Sequence, residues 1–103
     1  MSVLVEFSMS PMDKGTSVSD YVARSLDIVS QSGLAYRLGP MGTCVEGDWK
    51  DVMGVIEKCY RSMSEECERI SCYIKIDARA GKTGRINSKI AKVEEILGRK
   101  LNQ

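Results

Sequence analysis

The 103-residue sequence contains no histidine, which removes the usual general base, a frequent metal ligand and the side chain that titrates near neutrality. Any chemistry therefore falls to carboxylates, lysine, tyrosine or cysteine. Glu46 and Lys75 form one pair that could supply it, because the strands carrying them both flank the first strand. Exposed to water, such a pair adds only ~0–1 kcal/mol of stability. Shielded by a second subunit, its carboxylate becomes a counter-charge for a cationic ligand, since opposite charges ~4 Å apart at an effective dielectric of ~20 attract by ~4 kcal/mol. Tyr36 and Trp49 lie near strand ends, where an aromatic ring either covers a sheet edge or stacks on a flat heterocycle.

Two other residue groups look like chemistry and read better as structure. Cys44, Cys59, Cys67 and Cys72 stand 15, 8 and 5 residues apart, a spacing with no C-x-x-C pair and no zinc-finger pattern. With Cys59 on a helical apolar face and Cys72 within a strand, the thiols are expected to be buried, reduced and free of metal. Ala80-Gly81-Lys82-Thr83 sits between a strand and a helix, as a phosphate-binding loop would. The first glycine of that motif falls on Ile76, however, so the segment reads as a basic connector.

Fifteen Lys and Arg against fourteen Asp and Glu give a net charge of +1, so no global field attracts nucleic acid or an anionic membrane. The charge is uneven: residues 1–74 carry seven basic and eleven acidic groups, whereas 75–103 carry eight basic and three acidic. The N-terminal MSVLVEFSM lacks a basic leader and no long apolar run occurs, so a cytoplasmic protein is expected. One domain over 1–103 is the size-based expectation.

The elements that must position these residues follow from periodicity. Val3, Val5 and Phe7 alternate with Leu4, Glu6 and Ser8 as a strand that Pro11 stops. A helix over about 17–32 starts at the capping pattern Ser17-Val18-Ser19-Asp20 and ends at Gly33. Leu34–Leu38 and Gly42–Glu46 make a hairpin, and Asp48 caps a second helix over about 48–63 whose stripe runs Val52, Val55, Ile56, Cys59, Tyr60 and Met63. Residues 69–78 form the longest strand, with Ile70, Cys72, Ile74 and Ile76 on one side. A third helix then places Ile86, Ile90, Val93 and Leu97 on one face before Gly98.

The order β-α-β-β-α-β-α is the ferredoxin-like split βαβ arrangement with an extra C-terminal helix. Its four-stranded antiparallel sheet would have the first and third strands central and both main helices on one face. The other face, holding Leu4, Glu6, Ser8, Tyr73, Lys75 and Asp77, is expected to be bare and to pack on another copy or bind something. It lacks the central-strand aromatics of an RNA-binding sheet.

The strings V-E-F-S-M-S-P-M from Val5, S-V-S-D-Y-V-A from Ser17, S-G-L-A-Y from Ser32, P-M-G-T-C-V-E-G from Pro40, Y-I-K-I-D-A-R and V-E-E-I-L-G-R-K-L together resemble the small thiamine-binding protein family. The resemblance implies a homodimer or homotetramer that binds thiamine or its hydroxymethylpyrimidine portion between subunits. It implies binding without catalysis, and no cofactor, nucleic-acid or membrane partner is expected. Carried over by position, its ligand-binding residues would be Ser8, Ser10, Tyr36, Met41, Thr43, Glu46, Lys75 and Asp77. An alternative is a regulatory module like the ACT domains, binding another small metabolite and acting on a partner enzyme.

Overall fold

A computed structural model describes residues 1–16 and 18–103. The elements are β1 (Ser2–Pro11), α1 (Val18–Gln31), β2 (Ala35–Leu38), β3 (Thr43–Asp48), α2 (Trp49–Ser64), β4 (Ile70–Ala78) and α3 (Arg85–Leu97). They build one antiparallel sheet in the order β2-β3-β1-β4, a ferredoxin-like α+β fold with an added C-terminal helix. The capping role expected of Ser17 lies outside the described residues. Among the described residues no helix is long and apolar enough to cross a membrane.

The alternation of β1 sorts the two faces. Val3, Val5, Phe7 and Met9 are buried beneath α1 and α2. They meet Val45 of β3, Val29 of α1 and Val52, Val55, Ile56, Cys59 and Met63 of α2 in one core, each large apolar side chain contributing ~1.5–3 kcal/mol by leaving water. β1 ends at Pro11 as expected, with Pro11 still in register with Ile70, and it continues along β4 four residues beyond Phe7, the last β1 residue paired with β3. Asp48 stands at the start of α2 but makes no capping hydrogen bond with its side chain; the carboxylate instead accepts from the Met1 α-ammonium at 2.9 Å.

Three expectations are corrected. Cys72 is exposed, and Ile74 and Ile76 on the same side of β4 remain 38% and 39% exposed. The reason is lateral: β4 is an edge strand, while α1 and α2 pack over β1 and β3. The second sheet face is not bare either, because α3 folds across it and packs on β2 and β3. Ile86 is buried there and Ile90 half-buried, whereas Val93 and Leu97 stay about half exposed.

Candidate functional site

The position of α3 is set by side chains from three strands. Glu46 points to the open face and accepts hydrogen bonds from the Arg85 N–H at 2.8 Å and the Ile86 N–H at 3.1 Å, satisfying two of the free donors at the start of α3. On β4, Asp77 accepts from Arg85 Nη2 at 2.8 Å and Lys89 Nζ at 2.7 Å. These cations, Arg85 first, hold its carboxyl well below the usual carboxylate range. From β2, Arg37 donates to Asn87 Oδ1 and to Gln103 Oε1, each at 2.7 Å. Beyond the left-handed Gly98, the buried Glu94 carboxylate takes the Leu101 N–H at 2.7 Å, which turns residues 99–103 back along the sheet.

This bracing leaves a furrow of about 650 Å³ between the open face and α3. Leu38, Pro40, Ile90, Val93 and Leu101 give it mainly apolar walls, and Glu6 and Cys44 lie on its floor. Arg37 and Lys89 also line it but are already engaged with Asn87, Gln103 and Asp77. Glu6 differs, having no cation within 4 Å among the described residues. The Cys44 thiol beside it is pushed up, first by burial and then by the Glu6 charge. An adjoining hollow of about 400 Å³ shares Glu6, Cys44 and Lys89 and adds Lys75 and Asp77.

A smaller pocket, about 150 Å³, opens where β1 outruns β3. Ser8 and Ser10 line it from β1, Met41 and Thr43 from the hairpin, and Val22 and Leu26 from α1. The eight residues expected from sequence are thus divided. Ser8, Ser10, Met41 and Thr43 gather at this pocket, and Lys75 and Asp77 at the hollow on the open face. Tyr36 pairs with Val45, lies 43% exposed on the edge strand and lines none of these three spaces. Glu46 does not meet Lys75 within the chain, because both its oxygens serve the start of α3.

Sequence reasoning missed Glu6, Ile90 and Leu101 as furrow residues. Glu6 carried a usable signal, an acid on the open side of a central strand, but the other two acquire their place only once α3 lies on the sheet.

A family model described as thiamine-binding protein matches residues 5–94. The chain belongs to the thiamine-binding protein family. It is 38% identical over 98 residues to a UPF0045 protein of Mycobacterium bovis, covering 94% of this chain and 96% of that one. Among solved structures, a hypothetical protein of Methanocaldococcus jannaschii superposes with a TM-score of 0.84 at 29% identity, over 91% of this chain and 97% of the other. A candidate thiamine biosynthesis/salvage protein of Thermotoga maritima gives 0.80 at 25% identity, over 90% and 99%. The family match includes the residues of the hairpin pocket and stops at residue 94, short of Leu101, Asn102 and Gln103 in the furrow.

Proposed function

We propose that this family member is a non-catalytic, cytoplasmic binder of thiamine or its hydroxymethylpyrimidine portion, with the furrow beneath α3 as the ligand site. The carrying observation is Glu6, a carboxylate without a paired cation beside mainly apolar walls in a space of about 650 Å³. That size is ordinary for small-molecule sites. Thiamine joins a permanently cationic thiazolium to a flat aminopyrimidine, so apolar walls would take its rings and Glu6 its charge. Family membership and the Thermotoga neighbour support the same ligand class.

Self-association belongs to this reading. Among the described residues the outer edge of β4 has no partner strand, and Tyr73, Ile74 and Ile76 stand exposed on this strand, features that a second copy would cover. The furrow is open to solvent in one chain, and a neighbouring subunit would close it.

Calorimetry with thiamine, free hydroxymethylpyrimidine and amino acids tests the proposal, alongside sedimentation of the free protein. Thiamine is expected to bind, and Glu6→Gln to weaken thiamine at least ~10-fold while affecting the uncharged pyrimidine less. Absence of heat with both ligands in large excess would sink the reading. A response to amino acids alone would favour the regulatory-module alternative.

A further inference from the structure

The connector between β4 and α3 and the adjoining side of α3 form a second concave surface that shares only Lys89 with the furrow. Its origin lies in two local geometries. The Lys82 N–H donates to the Arg79 carbonyl at 3.3 Å across a turn containing Gly81 at φ 77°, and such a turn brings its first and fourth residues together. On α3, Arg85, Lys89 and Lys92 follow at i, i+4 and i+7, hence on one face. Together these five cations line a cleft of about 640 Å³.

Their charge is poorly answered. Asp77 engages Arg85 and Lys89, but Arg79, Lys82 and Lys92 have no carboxylate within 4 Å among the described residues. The first nine residues of α3, Arg85–Val93, contain three cations and no acid. That order opposes the helix dipole, which favours negative charge near the N-terminus; Glu46, reaching over from β3, supplies the one carboxylate there. Arg85 lines the cleft, and its Nη1, shut off from solvent, has no hydrogen-bond partner among the described residues. Thr83 and Ser88 add two hydroxyls to the same lining. A merely solvated helix face would gain from interspersed acids, and this one has none on its cleft side.

We propose that this cleft is a binding site for the phosphoryl groups of a small, soluble phosphate ester or pyrophosphate. A compound with two or more negative charges would relieve the mutual repulsion of the five cations and accept from the Thr83 and Ser88 hydroxyls. The concave shape between turn and helix suits a compact anion, whereas a nucleic acid or a membrane would require an extended basic surface on a chain whose net charge is only +1.

Inorganic pyrophosphate is the probe. Calorimetry at low salt should show one site per chain, with affinity falling as salt rises. Lys82 and Lys92 have no carboxylate partner to lose, so the double variant Lys82→Ala/Lys92→Ala should fold normally and weaken pyrophosphate by ~10-fold or more. The Lys82→Arg/Lys92→Arg variant should retain binding, and both should bind thiamine as the parent does, which separates this site from the furrow. No heat at millimolar pyrophosphate, or an affinity indifferent to the double Ala variant, overturns the proposal. So does binding to phosphatidylserine vesicles or duplex DNA that pyrophosphate does not compete away.

Discussion

Replacing Glu46 separates two roles that one carboxylate could play. If it is the anchor of α3, Glu46→Ala strands the buried Ile86 N–H and leaves the Arg85 N–H to water. Glu46 is only 7% exposed, so little solvent can replace it. Hydrogen bonds to a charged group are worth ~1.5–3 kcal/mol each, but the partly accessible Arg85 donor recovers most of its share, so the expected loss is about 2–4 kcal/mol. The damage should be local, because Asp77 and Arg37 still hold α3 from the neighbouring strands. Hydrogen exchange is the appropriate assay: amides of α3 should lose protection by ~30- to 1000-fold while β1 and α2 change far less. Glu46→Gln, keeping one acceptor oxygen, should lie between. If the α3 amides keep their protection while thiamine affinity collapses, Glu46 is a ligand group, and the anchoring argument is refuted.

Acid should weaken the second anchor. The Asp77 carboxyl titrates below its ordinary range in the folded chain because Arg85 and then Lys89 hold its charged form. The folded state therefore binds fewer protons than the unfolded one, and the contribution is complete above the unfolded pKa of ~3.9 and lost as pH falls below it toward the folded value. In urea titrations, Asp77→Asn should be less stable than the parent at pH 7, and the gap should narrow under more acidic conditions; a gap independent of pH would contradict the pairing. At the hairpin, a Cβ on Gly39 would lie 2.8 Å from the Gly42 carbonyl oxygen, a backbone atom. Gly39→Ala should cost about 1–3 kcal/mol by equilibrium unfolding, and an unchanged midpoint would show that the turn relaxes freely.

Strand and helix order was legible because each element carries its own period. The alternation Val3-Val5-Phe7 and the stripe Val52-Val55-Ile56-Cys59 state which side faces the core, and the ferredoxin-like arrangement buries both. What periodicity cannot state is lateral coverage. Ile74 and Ile76 have the same alternation as Val3 and Val5, yet β4 lies at the sheet edge beyond α1 and α2, so they stay partly exposed. Cys72 was misread for the same reason. The site residues divided along a similar line. The P-M-G-T-x-x-E-G segment marks the hairpin as chemically distinctive, but it alternates across a sheet, so Thr43 is turned to the helix side and Glu46 to the other.

The larger misreading concerns the face expected to be empty, and it changes the logic of the site. A bare sheet presents polar groups to bulk water, where an acid such as Glu6 gains little from a cation. With α3 laid across it, Glu6 shares a furrow with Ile90, Val93 and Leu101 but is itself still exposed, so its charge would gain weight only as a bound ligand displaced water from the furrow. The bonds that create this environment, from Glu46, Asp77 and Arg37, are polar contacts at long sequence separation, and no periodicity encodes them. Residues that looked like ligand contacts because they are charged on an open face thus include some that build the wall. Glu6, with no cation within 4 Å among the described residues, is the charge on which the proposed ligand site rests.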